Sequence, residues 1–385
     1  MNKFTKILFC FLFVVTITVP YSNFIVNYIP RKSISGFGNP KKPQLTFSDY
    51  NQGVFQEKFS NWFHRKNGLW GYFVRLNNQF NFKVFNQISG GYNSALLLGK
   101  DNFLFQSLYL DDFNKLSRYY DNIHKKKVKK LVKLDSLLNQ RGKKLILLLS
   151  PNRLLLYPEY VQSKFIIEGR NQRKSDYDKL IELTNSKITV LDTYSFFKNL
   201  GPGDLKYFTR TGSHWNKLGA CKVTRELLNL IQKNINSTLS NINCDAEFIR
   251  EKPSKEDQDY IQMANLWNKE FLNIPVYSVK PTVEPSTNQA NKNIFIVGTS
   301  FMWSILELIK ENSLFENFYF YYYFKRRAYN TYNYNESYSD QLSLWKEDLD
   351  NSSIVILEAN QALFNDLGFD FVNQAIKYLK QDKYS

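Results

Sequence analysis

Ser300 lies in Ile294-Phe-Ile-Val-Gly-Thr-Ser-Phe-Met-Trp303, where an apolar run ends and a helical pattern begins. A strand-to-helix turn exposes a hydroxyl, and the first helical N–H groups, with the positive end of the helix dipole, stabilise a developing oxyanion. The plainer reading of the same residue is a serine N-cap. His214, in Arg210-Thr-Gly-Ser-His-Trp-Asn-Lys-Leu-Gly-Ala220, is the histidine with the surroundings of a site, whereas His64 and His124 fall on predicted helices full of surface charge. One Ser at a strand end and one His at a loop-to-helix junction are the minimum parts of acyl transfer, a nucleophile and a base. Further candidates stand at other strand ends. Asn152 carries an amide that can donate to an oxyanion, and Arg153 a guanidinium that can grip a sugar carboxylate in two places. Phe301 and Asn360 complete the oxyanion and substrate-binding set, with Glu358 placed by the same logic. Each has a structural alternative as a loop cap or surface residue.

The arrangement resembles a known family. Gly-Ser-His-Trp-Asn-x-x-Gly-Ala at 212–220, followed about 85 residues later by Val-Gly-Thr-Ser-Phe, is similar to the alginate O-acetyltransferases, the AlgJ/AlgX-type SGNH hydrolase-like proteins. Gly99-Lys-Asp-Asn-Phe-Leu-Phe105 resembles that family's G-K-x-x-W-L-F block. Ser150-Pro-Asn-Arg153 with Tyr157-Pro-Glu-Tyr160 resembles its P-x-K and Y-P segment, and Ile354-Val-Ile-Leu-Glu-Ala-Asn360 its late strand. The blocks span about residues 55 to 375 in the family's permuted order, His before Ser. The resemblance implies an envelope enzyme that takes an acetyl group from a multi-spanning membrane acyltransferase and places it on a polysaccharide hydroxyl. Ser300 is then the acetyl-accepting nucleophile and His214 the base. The alginate enzymes carry an Asp two residues before the His, where this chain has Gly212. Asp192, at the end of a predicted strand, is the substitute named for orienting His214, with Asp204 or a backbone carbonyl as alternatives.

The elements that must position these residues follow from pattern. Apolar runs at 144–149, 188–191, 294–297 and 354–357 alternate with helical patterns at 175–184, 217–233, 302–310 and 369–380, and 318–324 reads as an aromatic strand. Short all-apolar strands between helices predict an α/β fold, a parallel sheet covered on both faces, and ligands at its carboxyl ends. The resemblance makes this an SGNH hydrolase-like domain over 51–385, with an insertion at about 235–290 that fits no such unit. Upstream, 95–98 and 103–105 read as a hairpin, and 111–140 as one long, lysine-rich helix. From Phe55 to Phe85 aromatic and leucine residues recur at three- and four-residue steps, predicting a packed amphipathic helix or helix pair. Residues 31–50 read as a linker.

Lys3 and Lys6 precede a charge-free, largely apolar run at 7–19, extended more weakly to 29. This is an export signal, either an uncleaved anchor over 7–29 or a cleaved signal peptide, and it sends the rest of the chain to the periplasmic side of the cytoplasmic membrane. Of 385 residues, 43% are apolar, which excludes a disordered or collagen-like chain. Lys and Arg number 51 against 35 Asp and Glu, a formal charge of +16 that suits an acidic polysaccharide or an anionic membrane surface. Nucleic acid is the other partner of basic, aromatic composition, and export excludes it. The tyrosines at 319–338, with Arg326 and Arg327, suit sugar rings or a buried strand. Three Cys and three His have no zinc-site spacing, so no metal and no soluble cofactor is expected. Cys221 and Cys244 are either one disulfide or two buried thiols. Two other readings keep the same residues: a carbohydrate acetylesterase with water as acceptor, and a catalytically inactive glycan-binding scaffold, suggested by Gly212.

Overall fold

The computed structural model describes residues 2–30, 32–35, 38, 41–66, 69–88, 96–114, 121–170, 175–235, 238–254, 256–272, 274–284, 293–331, 333–334 and 338–381. They divide into two compact units, Met1–Leu98 with Tyr260–Leu272, and Gly99–Asp259 with Asn273–Ser385.

In the first unit, α1 (Lys3–Val26) starts at an Asn2 cap that accepts from the Thr5 N–H at 2.8 Å, and it ends where Asn27 turns left-handed. Its 24 residues reach roughly 36 Å at 1.5 Å each, enough to cross a bilayer by length and composition. Two further helices, α2 (Val54–Lys66) and α3 (Trp70–Phe85), realise the expected helix pair. Phe24 of α1 packs on Trp62 and Phe63 of α2, with ring centroids 5.9 and 4.7 Å apart. The expected packing is only partial on α3, which buries Gly71, Arg75 and Asn78, half-buries Trp70, Tyr72, Val74 and Phe82, and leaves Phe73, Leu76, Phe80, Val84 and Phe85 exposed. Arg31, Gly36 and Pro40 of the linker, and Ala95 of the hairpin, lie outside the described residues.

The second unit is built on a seven-stranded sheet. Its strands are β1 (Lys144–Ser150), β2 (Thr189–Asp192), β3 (Asn293–Gly298), β4 (Asn317–Tyr322), β5 (Arg326–Asn330), β6 (Asn333–Tyr334) and β7 (Ile354–Asn360), in the spatial order β6-β5-β4-β3-β7-β1-β2. The five strands from β4 to β2 run parallel. β1 and β7 are almost continuously apolar because helices cover both faces, so neither residue parity can be polar. On one face Leu145, Leu147 and Leu149 join Phe295, Val297, Val355 and Leu357 in a core shared with α4 (Asp121–Asn139), through Leu131, Leu134 and Leu138. Each such side chain contributes about 1.5–3 kcal/mol by leaving water. α5 (Asp176–Thr184), α6 (Thr193–Leu200), α7 (Lys217–Ile235), α8 (Met302–Glu311) and α9 (Phe371–Gln381) complete the helices that matter here.

Two sequence expectations are corrected. The strand expected at 318–324 ends at Tyr322, because Tyr323 and Phe324 adopt positive φ (50° and 52°) and turn the chain back into antiparallel β5. Of the long helix expected at 111–140, Asp121–Asn139 is helical, whereas 111–113 belong to a short helix, Ser107–Phe113, that ends at Asn114; residues 115–120 lie outside the described ones. Within the 235–290 stretch, Asn241–Asn243 pairs with Thr282–Glu284 and Glu247–Arg250 with Val276–Val279, both antiparallel. Cys221 and Cys244 form a disulfide, the pairing left open by sequence, which ties α7 to this stretch. It closes a 23-residue separation, so replacing both cysteines by serine should lower unfolding stability by about 3 kcal/mol. Denaturant midpoints with and without reductant check this, and a midpoint unmoved by reductant would contradict it.

Candidate active site

The carboxyl ends of the parallel strands are aligned: Asn360 pairs with Ser150, Leu149 with Asp192, and Leu357 with Val297. Ser300 stands two residues beyond β3. The turn that carries it depends on Gly298, since a Cβ there would lie 2.9 Å from Met302 Cγ and 3.0 Å from Glu358 Oε2. Glu358 is fully buried and holds this turn, accepting from the Thr299 N–H at 2.5 Å and from the Ser150 hydroxyl. Burial pushes its carboxyl up, against the pull of those two donors. Truncating Glu358 to Ala leaves both donors buried and unmatched, at a cost of about 1–3 kcal/mol each.

His214 reaches Ser300 from the other side, Nε2 to Oγ at 2.8 Å. Each residue of its motif has a physical task. Asn216 anchors the start of α7, accepting from the Gly219 N–H at 2.9 Å while its amide donates to Lys206 O at 2.9 Å. Gly219 permits the close approach of Tyr207 O, 2.5 Å from where a Cβ would sit. Trp215 is buried and donates its indole N–H to Ser304 of α8 at 2.8 Å, fastening the His loop to the Ser helix. Phe301 packs edge-on against both His214 and Trp215, with centroids 4.8 and 5.0 Å away.

Asp192 does not orient His214. Its carboxylate caps α6, accepting from the Ser195 N–H at 3.0 Å and the Ser195 hydroxyl at 2.6 Å, and it also takes the Tyr177 hydroxyl. Asp204 is likewise engaged, by Tyr160 and Arg210. The carboxylate beside the His214 ring belongs to Asp259, whose Oδ2 is 3.5 Å from Nδ1. Asp259 also grips Ser213, accepting from its backbone N–H at 2.8 Å and from its hydroxyl, and the Ser213 Oγ is 3.0 Å from His214 Nδ1. Gly212 fits the same segment: a Cβ there would lie 2.8 Å from Thr209 Oγ1 and 2.9 Å from Asp257 O. The space an acid at 212 would need is filled by the stretch that delivers Asp259. Sequence reasoning missed Asp259 because it lies 45 residues beyond His214 in a stretch without recognisable pattern. The one signal was the absence at Gly212, which says that an acid is needed and not where it is.

Two other candidates, Asn152 and Arg153, are reassigned, and the third, Asn360, keeps an amide donor free among the described residues. Asn152 is buried, caps the short helix Arg153–Leu156, and gives its amide protons to Tyr109 O at 2.7 Å and Asp112 Oδ2 at 2.8 Å, leaving none for an oxyanion. Arg153 is 1% exposed, lies over the Phe103 ring at 4.1 Å and donates to Thr209 O, so it supports the loop before His214 instead of meeting a sugar. Asn360 accepts from the Ala362 N–H at 3.0 Å, while its buried Nδ2 has no hydrogen-bond partner among the described residues. Two phenols stand near these residues, Tyr323 from the tyrosine-rich stretch and Tyr109, which sequence did not single out. Tyr323 faces the Ser300 hydroxyl, which partly offsets the upward push of burial on its pKa. Buried Tyr109 feels Asp259, Tyr323 and Glu358, and is pushed up mainly by burial. Of the other tyrosines, Tyr322 and Tyr329 pack on Trp303, and Tyr321 is buried and donates to Asp348 at 2.5 Å. Tyr332 and the side chains of Tyr334 and Tyr338 lie outside the described residues. Among the described residues no cluster of His, Cys, Asp and Glu has the arrangement of a metal site.

Asp112 gives the site's support a pH dependence. Burial pushes its carboxyl up to about 6, above the ordinary 3.8, although its hydrogen bonds to Asn152 and Gln361 pull the other way. A group raised on folding stabilises fully below its unfolded pKa and loses that contribution as pH rises through the folded value. Between about pH 4 and pH 6 the loss is about 3 kcal/mol. Asp112→Asn should flatten the fall of stability across that window, measured by denaturant unfolding; parallel curves for the two proteins would contradict it.

Residues 96–314, more than half of the chain, match the family described as an SGNH hydrolase-like domain, acetyltransferase AlgX. No curated protein matches the sequence. Among solved structures, the O-acetyltransferase domain of Pseudomonas putida AlgJ is similar at 15% identity and a TM-score of 0.47, over 74% of this chain and all of that one. Pseudomonas aeruginosa AlgX is 16% identical, with a TM-score of 0.44, over 74% of this chain and 67% of that one. Bacillus cereus PatB1 is 11% identical, with a TM-score of 0.44, over 71% and 97%. The sequence match over residues 96–314 contains both Ser300 and His214, and the chain belongs to the AlgX-type acetyltransferase family with an SGNH hydrolase-like domain.

Proposed function

We propose that this protein is a cell-envelope polysaccharide O-acetyltransferase that works through an acetyl-serine at Ser300. The observation that carries the reading is the 2.8 Å contact between His214 Nε2 and Ser300 Oγ at the carboxyl end of a parallel sheet. In the first half-reaction Nε2 takes the hydroxyl proton as Oγ attacks the acetyl carbonyl. The oxyanion that forms is met by the Ser300 N–H, which makes no hydrogen bond among the described residues. Collapse breaks the bond to the donor's leaving oxygen or sulfur, which takes the proton from His214. In the second half, His214 removes the proton of an acceptor hydroxyl that attacks the acetyl-serine, and Ser300 leaves with that proton. Asp259, acting on Nδ1 directly and through Ser213, steadies the imidazole and favours its charged form.

The acceptor is proposed as an acidic polysaccharide and the donor as a multi-spanning membrane acyltransferase. The charge of +16 supports the first, as do exposed Lys125, Lys126, Lys129 and Lys187 beside Val132 and Leu183. The disulfide and the N-terminal helix support a site outside the cytoplasmic membrane. The test is acetyl transfer from a chromogenic acetyl ester, with and without acidic oligosaccharide acceptors. Acetylated sugar, formed faster than free acetate and lost in Ser300→Ala, is expected. Acetate alone at every acceptor concentration would make the protein an esterase, and no turnover would leave a glycan-binding scaffold.

A further inference from the structure

α3 is inside out. At about 100° per residue, Phe73, Leu76, Phe80 and Val84 fall within roughly 80° of one another on a single helix face, and Gly71, Arg75 and Asn78 fall on the opposite one. In a helix surrounded by water the apolar face would be the buried one. Here the four apolar residues are 57–59% exposed and the three others are buried. The inner face is furnished for that role. The Arg75 guanidinium donates to Ser33 O at 2.5 Å and to Gly71 O at 3.1 Å, and Asn78 Nδ2 donates to Ala264 O at 3.0 Å. Gly71 is required there, because a Cβ would sit 2.1 Å from Lys32 O. The polar side is therefore a built interior, and the apolar side is an outer surface that lacks its matching medium.

The same unit supplies a reason for that medium to be lipid. α1 is long and apolar enough to cross a bilayer, and near its end Phe24 packs on Trp62 and Phe63 of α2, the helix that precedes α3. The Lys66 ammonium lies over the Trp62 ring at 5.1 Å and over Phe24 at 5.9 Å, the aromatic and cationic pairing favoured at headgroup depth. We propose that α3 is a second membrane contact, lying in the bilayer interface with Phe73, Leu76, Phe80 and Val84 among the acyl chains. The proposal rests on α1 remaining as an anchor, which places the bilayer next to α2. A helix held in this way gives the first unit a second hold on the lipid surface beside the single span of α1.

The test uses the full chain in vesicles of phosphatidylcholine with one acidic phospholipid, carrying an environment-sensitive fluorophore on Leu76→Cys, Phe80→Cys or, as a water-facing control, Asn229→Cys. Each is made in a Cys10→Ser background, Cys221 and Cys244 being bonded to each other. Intact mass first establishes that α1 is present. Labels at 76 and 80 are expected to emit at shorter wavelength than the label at 229 and to be quenched several-fold more by lipid-borne nitroxides. Labels at 76 and 80 as wet as the one at 229, with α1 present, would overturn the proposal. Labels that are dry but not lipid-quenched, with crosslinks between copies, would assign the stripe to a second copy and overturn it equally. If the mass shows α1 removed, the anchor reading fails separately. Binding of that shortened chain to the same vesicles, weakened at least tenfold by Leu76→Asp with Phe80→Asp, would then support the stripe as a lipid contact, and unchanged binding would refute it.

Discussion

Ser300→Ala and His214→Ala should each lower acetyl-ester turnover by at least about 10³-fold while leaving the unfolding midpoint nearly unchanged. The two losses should be similar in size, and the double variant scarcely worse, because nucleophile and base act as one unit. Neither side chain holds the fold: Ser300 is only half-buried, and the motif is fixed by Trp215 on Ser304, Asn216 on α7 and Asp259 on Ser213. Steady-state kinetics with parallel thermal unfolding separates the outcomes. Turnover that survives Ser300→Ala would move the chemistry to another residue.

Asp259→Asn should lower kcat by about 10²–10³-fold with little change in KM. An amide keeps the size of the group but removes the charge 3.5 Å from His214 Nδ1 and presents donors where Ser213 needs acceptors. The loss is expected to fall short of about 10⁴, because the Ser213 hydroxyl remains within 3.0 Å of the ring. The split between kcat and KM is the readout that a merely structural role would not give: kcat should fall while KM and the unfolding midpoint stay near those of the parent protein. Gly212→Asp should not rescue this variant. Its Cβ would enter space held by Thr209 Oγ1 and Asp257 O, at a cost of about 1–3 kcal/mol for the overpacking. Recovery of activity in Gly212→Asp/Asp259→Asn would show that the acid can act from either place and that the steric argument is wrong.

The parts legible in sequence were those with a local pattern. Apolar runs at 144–149, 294–297 and 354–357 became β1, β3 and β7 because burial on both faces forces a continuous apolar run. Ser300 and His214 were legible because their neighbours are constrained by backbone packing: Gly298 by Glu358, Gly219 by Tyr207. Function assigned to amides and cations at strand ends fared worse. Asn152 and Arg153 stand where a ligand-binding residue would stand, yet their partners, Asp112, Tyr109, Thr209 and Phe103, come from 40 to 60 residues away and bury them. Asp192 illustrates the same limit, since a strand-end Asp before a helix is also the best cap for that helix. Asp259 was illegible because its place is set by tertiary folding of an irregular stretch. The stripe on α3 was legible as a stripe, and its direction was not, because periodicity reports that a helix has two faces without saying which solvent each one meets.

The most direct test of the central claim is to quench the protein in acid during turnover of an acetyl ester and locate the acetyl group by peptide mass spectrometry. One acetyl group on the peptide containing Ser300, absent from Ser300→Ala and accumulating in a variant slowed at Asp259, is the expected result. An acetyl group found on another residue during competent turnover, or turnover with no acetylated Ser300 even when deacylation is slowed, would contradict an acetyl-serine mechanism at this site.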